Sequence, residues 1–292
     1  MPSSERIGAL KPAPFDYHRP TSLAETFELL ERYGDDGRIL AGGQSLVPTL
    51  NMRLATPRAV IDINHLPGLN EIRVTPNGLV IGALVRHDEV ERSPVIRERA
   101  PLIAAAMPHV GHAAIRARGT FGGSLALADP AAELPACVVA LDATIRVASR
   151  RGTRDIAAAD FFQGVYTTAL APGEVIVEII IPPGDGTWRD GFDELARRHG
   201  DFALAGLAAR LRVNGRALPD ARLVFFGVGN TPVRAHQAEA ALKESGNVRT
   251  AQRALAAELD PPGDIHGSPE LRRHLAGVLL ERVVGTLLER SK

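Results

Sequence analysis

Short apolar runs alternate with helically spaced apolar residues over the first 60 positions. Ser22 and Glu25 have the spacing of a helix-capping box, and apolar residues at helical spacing follow them. Residues 38–41 and 59–63 predict two buried strands, and residues 46–54 predict a helix between them. Strand, loop, helix and strand in this order are typical of open α/β units, which place phosphates at the loop.

The middle of the chain predicts a hairpin, further strands and several short helices. Asn77-Gly78 lies between two apolar runs, which is a strong signal for a β-hairpin. Apolar patterning predicts helices across residues 87–91, 102–107 and 134–141, and strands at residues 144–147 and 175–181.

The last third begins after a linker and changes character. Pro and Gly are concentrated at residues 182–186, which marks a linker. The pattern then predicts long strands at residues 203–213 and 222–228 around an Asn214-Gly215 turn, and helices at 233–243, 250–258 and 269–290. The last helix carries an apolar stripe of Leu271, Leu275, Val278, Leu279 and Val283. With a further boundary at Pro57, the chain divides into residues 1–57, 58–182 and 183–292.

Composition narrows the class of protein. The 292 residues are 45% hydrophobic and 23% charged, with 34 basic and 34 acidic residues. A net charge of zero argues against a dedicated nucleic-acid binder and gives no reason to expect an anionic membrane surface as a partner. Cys137 is the one cysteine, which excludes an internal disulfide or a cysteine-ligated iron–sulfur cluster on this chain. Without a secretory signal or a membrane-spanning apolar run, we expect a soluble cytoplasmic protein.

Two glycine pairs carry the candidate chemistry. Ala41-Gly42-Gly43-Gln44-Ser45 and Thr120-Phe121-Gly122-Gly123-Ser124 each follow an apolar stretch and end in a serine. Glycine permits close approach and positive φ, so successive amides can form an anion nest. Either loop alone could be a simple turn between a strand and a helix. Together they suggest a ligand with two linked phosphates, with the hydroxyls of Ser45 and Ser124 as further donors. One shared ligand requires the two loops to lie side by side.

No catalytic set and no metal site are indicated by the remaining polar residues. His109-x-x-His112 lacks the spacing of a helical zinc site and has no nearby third ligand. Glu133 could accept hydrogen bonds from sugar hydroxyls or simply begin the next helix. Tyr166 lies in a polar loop and could border a planar ring system.

Several segments together resemble the FAD-binding medium subunits of the molybdenum hydroxylases, the group of carbon monoxide dehydrogenase and xanthine dehydrogenase. The matching segments are residues 40–54, 118–141, 161–170, 197–203, 225–235 and 264–275. The resemblance implies an α+β fold. Two α/β FAD-binding subdomains, of the PCMH or vanillyl-alcohol-oxidase-like type, precede a C-terminal domain with a three-stranded antiparallel sheet and helices.

The resemblance also implies the cofactor-binding residues. They are Leu40, Ala41, Gly42, Gly43, Gln44, Ser45 and Leu46 in the first loop, Thr120, Phe121, Gly122, Gly123 and Ser124 in the second, and Glu133, Tyr166 and Ile176 elsewhere. The two loops would hold the diphosphate, Glu133 would lie near the ribose or adenine, Ile176 near the adenine end, and Tyr166 near the isoalloxazine. Two positions depart from the family: Arg86 replaces a usual Thr, and Asp193 stands where xanthine dehydrogenases have a Lys near the flavin.

The function that the resemblance implies is electron transfer within a larger enzyme. A large subunit would oxidise substrate at molybdopterin, a small subunit would carry two [2Fe–2S] clusters, and FAD on this chain would pass the electrons to an external acceptor. A dimer of heterotrimers is the expected assembly. Two alternatives stay open: a stand-alone FAD-dependent oxidoreductase of the same fold, and a non-catalytic nucleotide-binding scaffold.

Overall fold

The computed structural model of the protein describes residues 11–198, 200–214 and 217–289, which form three main sheets, one separate pair of short strands and the associated helices. The first sheet and its helices comprise β1 (Asp16–His18), α1 (Leu23–Tyr33), β2 (Gly37–Leu40), α2 (Leu46–Asn51) and β3 (Ala59–Asp62). Strand β3 is central and pairs in parallel with both β1 and β2. Within the described residues, no helix has the length and apolarity to cross a membrane.

The sequence predicted α1, β2 and β3, and the structure confirms them. Helix α1 starts where expected, because the Ser22 hydroxyl accepts a hydrogen bond from the Glu25 amide at 3.2 Å. Helix α2 ends three residues before the predicted Leu54. Arg53 takes a left-handed φ of 55°, and the Leu54 amide bonds back to the Thr49 carbonyl at 2.9 Å, which closes the helix.

Strand β3 extends the first sheet beyond residue 57, where the sequence places a boundary. All four of its residues are buried, so this strand is the centre of the first sheet. The division of the chain into three domains stays a prediction.

The second sheet has five antiparallel strands in the order β4–β5–β10–β6–β7. Its strands are β4 (Ile72–Thr75), β5 (Gly78–Gly82), β6 (Thr144–Ser149), β7 (Gly152–Ala157) and β10 (Val175–Ile181), with a separate pair β8 (Phe162–Gly164) and β9 (Thr167–Thr168). The associated helices are α3 (His87–Arg92), α4 (Pro94–Arg99), α5 (Pro101–Ala106), α6 (Ala113–Arg116), α7 (Phe121–Leu127), α8 (Glu133–Ala140) and α9 (Ala158–Phe161). The predicted hairpin is present, since β4 and β5 pair across Asn77-Gly78. Cys137 is fully buried in α8.

The third sheet contains three long antiparallel strands and one short edge strand. They are β11 (Trp188–Ala196), β12 (Ala203–Asn214), β13 (Ala217–Phe226) and β14 (Val233–Arg234), followed by α10 (His236–Ser245), α11 (Val248–Glu258) and α12 (Pro269–Glu289). The predicted turn at Asn214-Gly215 lies partly outside the described residues.

Two predictions in the last third were wrong in detail. The helix expected from Val233 begins at His236, because Val233 and Arg234 pair with β13 as an edge strand. The stripe expected on α12 does not begin at Leu271, which is 41% exposed. Its neighbour Arg272 is buried instead and donates to the carbonyl oxygens of Leu204 and Gly227, each at 2.7 Å.

The third sheet packs against the second unit through α8. The Arg222 guanidinium donates to the Ala140 carbonyl at 3.2 Å and forms an ion pair with Asp142 at 2.5 Å. The Trp188 ring is stacked by the same guanidinium, 4.7 Å from its centroid. This contact joins β13 to the end of α8, and thus holds the last third of the chain beside the middle third.

The segment that follows β5 supports the second glycine loop. The Phe121 amide donates to the Val85 carbonyl at 2.9 Å, and the Gly122 amide donates to the Ala83 carbonyl at 2.8 Å. These bonds align the start of α7 with the extended chain beyond β5.

His87 completes this support from a buried position. Its amide donates to the Gly119 carbonyl at 3.0 Å, and its ring Nε2 lies 2.9 Å from the Thr120 carbonyl oxygen. Nε2 must therefore carry the proton, which leaves the buried Nδ1 without a partner among the described residues. Burial is the main cause that lowers the pKa of His87 to about 4.

We predict that His87 makes the fold sensitive to mild acid. Between pH 6.5 and 4 the unfolded chain binds a proton that the folded chain rejects, so stability falls as pH falls through this window. Between pH 7 and pH 5 the loss is about 2 kcal/mol. His87→Gln keeps a donor for Thr120 without titrating, so urea unfolding at the two pH values should show a smaller loss by that amount. His274→Gln, at an exposed site, is the control; an equal effect of both substitutions would contradict the prediction.

We further predict that Gly206 is irreplaceable in the third sheet. A Cβ at this position would lie 2.0 Å from Cζ of Phe226, its cross-strand partner. Gly206→Ala should therefore lower the free energy of unfolding by about 2 kcal/mol or more, through overpacking. Gly277→Ala is the control, because a Cβ there meets open space within a helix and should be neutral or stabilising by up to about 1 kcal/mol. Thermal unfolding of both variants tests this, and similar midpoints would contradict it.

Candidate cofactor-binding cleft between two glycine loops

The first glycine loop lies at the carboxyl end of the parallel strand β2. The Leu40 carbonyl accepts a hydrogen bond from the Ile63 amide at 3.0 Å, which continues the pairing with β3. The Ala41 carbonyl accepts a hydrogen bond from Nδ2 of Asn64 at 2.8 Å. Helix α2 then begins at Leu46, so the loop occupies the strand-to-helix position that open α/β sheets use for phosphates.

The main chain of the first loop leaves a row of donors unused. None of the amides of Gly42, Gly43, Gln44 and Ser45 donates a hydrogen bond to any described residue. Gly43 has a φ of 73°, which favours glycine, and the Gln44 side chain folds back to donate to the Gly42 carbonyl at 3.1 Å. Successive unpaired amides with a left-handed residue among them have the character of an anion nest.

The second glycine loop is built differently from the expectation. Thr120 caps α7, and its hydroxyl oxygen accepts the Gly123 amide at 3.2 Å. The Ser124 amide donates to the Thr120 carbonyl at 3.1 Å, so the amides of residues 121–124 all donate within the chain. Phe121 is fully buried in the core. What this loop offers a ligand is therefore the Ser124 hydroxyl, which has no partner in the described part of the chain, rather than a nest of amides.

The two loops touch through main-chain atoms. A Cβ on Gly42 would lie 2.6 Å from the Arg118 carbonyl oxygen and 2.8 Å from Cα of Gly119. Gly122 serves a different contact, with the segment after β5, because a Cβ there would lie 2.6 Å from Cβ of Ala83. The absence of side chains thus brings the loop of the first sheet against the loop of the second, as one shared ligand requires.

A chain of side-chain hydrogen bonds also joins the two loops. The Arg86 guanidinium donates to the Arg118 carbonyl and, at 2.6 Å, to Oδ1 of Asn64. Asn64 in turn holds Ala41 and donates to Oδ1 of Asp62 at 2.6 Å. Burial lowers the pKa of Arg86, and the neighbouring Arg118 adds to this effect.

The other predicted residues lie beyond α7. The Tyr166 hydroxyl donates to the Asp129 carboxylate at 3.3 Å, and the ring is 61% exposed. Glu133 begins α8, and burial, with the nearby Glu194, raises its pKa to about 8. Ile176 lies in β10 opposite Val147 and is almost fully buried, so it belongs to the core of the second sheet.

The roles of Asp62 and Asn64 were not predicted from the sequence. Asp62 is the last residue of the buried strand β3 and Asn64 lies just beyond it, and polar residues at the end of a parallel strand are a usual sign of a site. Their contact with Arg86 could not be predicted, because Arg86 lies more than 20 residues away along the chain.

The Asp193 carboxylate forms an ion pair with Arg282 at 2.7 Å, so its charge is paired within the chain. The described residues contain no group of three or more His, Cys, Asp or Glu side chains that could hold a metal ion.

The hydrogen-bond donors that the protein presents in this cleft fit the diphosphate of FAD. A diphosphate needs several hydrogen-bond donors at close range. The unpaired amides of residues 42–45 and the hydroxyl of the exposed Ser45 supply such donors. Gly42 lets the first loop approach residues 118–120, and Gly43 adopts the positive φ that a nest of amides requires.

Known proteins share both halves of the chain. Residues 13–184 match the family described as the FAD binding domain in molybdopterin dehydrogenase, and residues 190–287 match the CO dehydrogenase flavoprotein C-terminal domain. The 6-hydroxypseudooxynicotine dehydrogenase complex subunit alpha of Paenarthrobacter nicotinovorans is 38% identical, over 97% of each chain. The caffeine dehydrogenase subunit beta of Pseudomonas sp. (strain CBB1) is 39% identical over 96% of this chain and 97% of that protein.

Solved structures share the whole fold. A chain of the carbon monoxide dehydrogenase from Hydrogenophaga pseudoflava superposes with a TM-score of 0.92 and 35% identity, covering 96% of this chain and 99% of that one. A chain of quinoline 2-oxidoreductase from Pseudomonas putida 86 gives a TM-score of 0.91 and 38% identity at the same coverage. This protein therefore belongs to the FAD-binding subunits of the molybdenum hydroxylases, a family of oxidoreductases, as the sequence analysis expected.

Proposed function

We propose that this chain is the electron-transfer subunit of a molybdenum-containing hydroxylase or dehydrogenase, in which it passes electrons from a partner subunit to an external acceptor. The observation that carries the proposal is the row of unpaired amides at Gly42–Ser45, held against the second glycine loop in a chain of this family. FAD, when bound, supplies the ability to accept electrons singly and release them in pairs. The protein's task is to bind and orient it.

Each predicted site residue has a distinct role in this proposal. The amides of residues 42–45 and the hydroxyls of Ser45 and Ser124 hold the diphosphate. Leu40, Ala41, Gln44 and Leu46 shape the first loop, and Thr120, Phe121, Gly122 and Gly123 shape the second. Glu133, protonated at neutral pH because of its raised pKa, offers a donor and an acceptor to the ribose or adenine. Tyr166 borders the isoalloxazine, and Ile176 supports the adenine end from within the core.

The rest of the electron path lies on other chains in this proposal. Because Cys137 is the only cysteine and is buried, the [2Fe–2S] clusters belong to a small partner subunit and molybdopterin to a large one. The relatives named above as subunits support a complex, for which we propose a dimer of heterotrimers. A cytoplasmic location, expected from the sequence, stays a prediction.

The experiment that tests this function uses the full chain with and without its partners. Purified alone, the chain should show flavin absorbance and contain FAD, but no iron or molybdenum. In the complex purified from its source, substrate-derived electrons should bleach the flavin band. Stoichiometric iron on this chain, or substrate turnover by the chain alone, would favour a stand-alone oxidoreductase, and absence of flavin would favour a nucleotide-binding scaffold.

We predict that Gly42→Ala weakens FAD binding while the sheets still fold. The added Cβ would lie 2.6 Å from the Arg118 carbonyl oxygen, so the two loops must separate. We expect the Kd for FAD to rise at least about tenfold, corresponding to about 1.4 kcal/mol. Flavin fluorescence titration measures the Kd, and thermal unfolding of the flavin-free chain checks the fold.

The matched control for this prediction is Gly184→Ala. A Cβ at Gly184 meets nothing within 4 Å, so this variant should bind FAD like the unmodified chain. Unchanged affinity in Gly42→Ala, or an equal loss in both variants, would show that contact between the loops does not govern binding.

A further inference from the structure

We propose that Arg86 is a positioning residue that sets the spacing between the two glycine loops and so prepares the cleft for a ligand with two linked phosphates. The inference rests on the proposed function, because it assigns a role to Arg86 in the binding of FAD. Arg86 reaches the second loop through the Arg118 carbonyl and the first loop through Asn64, so it needs no contact with the ligand.

The first observation is that Arg86 closes a continuous path between the loops. Its guanidinium donates to the Arg118 carbonyl, just before the second loop, and, at 2.6 Å, to Oδ1 of Asn64. Nδ2 of Asn64 donates to the Ala41 carbonyl at 2.8 Å, at the start of the first loop. Two side chains therefore connect Ala41 to Arg118, beside the point where Gly42 contacts the second loop.

The second observation is that the Asn64 end of this path is rigid. The Asn64 amide and its Nδ2 both donate to Oδ1 of Asp62, at 3.0 and 2.6 Å. Oδ2 of the same carboxylate accepts a hydrogen bond from the Tyr17 hydroxyl. Asp62 ends β3 and Tyr17 lies in β1, so the path is anchored on the first sheet and the orientation of the Asn64 amide is fixed.

The third observation is that the other end is equally constrained. Arg86 and His87 together hold three consecutive carbonyl oxygens, those of Arg118 and Gly119 just before the second loop and that of Thr120 at its start. The two residues begin α3, in the second unit of the fold. The unpaired amides of residues 42–45 thus lie beside a second loop that cannot shift without breaking several hydrogen bonds at once.

The geometry requires an arginine rather than a positive charge alone. A guanidinium has several donors in a planar fork, so it can hold two acceptors at once, here the Arg118 carbonyl oxygen and Oδ1 of Asn64. An ammonium is a compact charge on a shorter reach and cannot span both. The charged neighbours of Arg86 are Arg118, Glu89, Asp62 and Asp88, so its charge is partly offset by carboxylates.

The test compares two substitutions of Arg86 with a control on the same helix. Arg86→Lys keeps the charge and Arg86→Met removes it, but both lose the fork. We expect each to raise the Kd for FAD by about 10- to 100-fold. Arg92→Met removes an equal charge from an exposed ion pair on α3 and should change the Kd less than twofold. Flavin fluorescence titration gives the Kd values.

A second measurement reports on the loops without any ligand. In the flavin-free chain, the hydrogen-bonded amides of His87, Arg118 and Gly119 should exchange at least about tenfold faster in Arg86→Lys, whereas exchange in β3 should not change. Asn64→Ala breaks the same path, so the double variant Asn64→Ala/Arg86→Lys should bind FAD about as weakly as the weaker single variant.

The outcomes separate this inference from the proposed function. Wild-type affinity in Arg86→Lys with loss in Arg86→Met would assign the effect to charge and overturn the positioning role. Unchanged exchange in Arg86→Lys would overturn it as well. Failure of the unmodified chain to bind FAD would refute the proposed function, and the exchange data would still decide whether Arg86 joins the loops.

Discussion

The structure depends on one close main-chain contact, where Gly42 meets Arg118 and Gly119. No residue with a side chain fits there, because a Cβ would lie 2.6 Å from a carbonyl oxygen. This contact brings a loop of the first, parallel sheet against a loop that is anchored on the second, antiparallel sheet. The cofactor site that we propose depends on this contact, because it holds the unpaired amides of residues 42–45 beside the second loop.

The two loops use their main-chain amides differently. The first loop keeps its amides free, whereas the second uses its own to begin α7 and to pair with residues 83–85. A fixed loop beside an open one limits the number of arrangements the cleft can adopt before a ligand arrives, and preorganisation of this kind lowers the entropic cost of binding. The support comes from neighbouring residues, Arg86 and His87, whose side chains reach different carbonyl oxygens.

The sequence predicted the parts of this fold whose signals are local. The glycine pairs, the Ser22 cap of α1 and the Asn77-Gly78 hairpin each depend on a few adjacent residues, and the structure contains all of them. The capping box is only half formed, because the Glu25 carboxylate accepts from Thr21 rather than from the Ser22 amide. The sequence could not predict which amides remain free, since that depends on partners such as Val85 and Ala83, far from α7 along the chain. The hydrogen-bonded path through Asn64 and Arg86 could not be predicted for the same reason. The burial of Arg272 could not be predicted either, because it depends on hydrogen bonds to carbonyl oxygens that lie far away along the chain.

The enclosure of Cys137 within α8 has a practical consequence for studying the protein. The only thiol of the chain has no exposed surface, and burial raises its pKa well above the ordinary value, so it is shielded from alkylating reagents and oxidants. A cysteine introduced at any exposed position would consequently be the single reactive one. Spin labels, fluorophores or cross-linkers could then be attached at chosen points without first removing a native thiol.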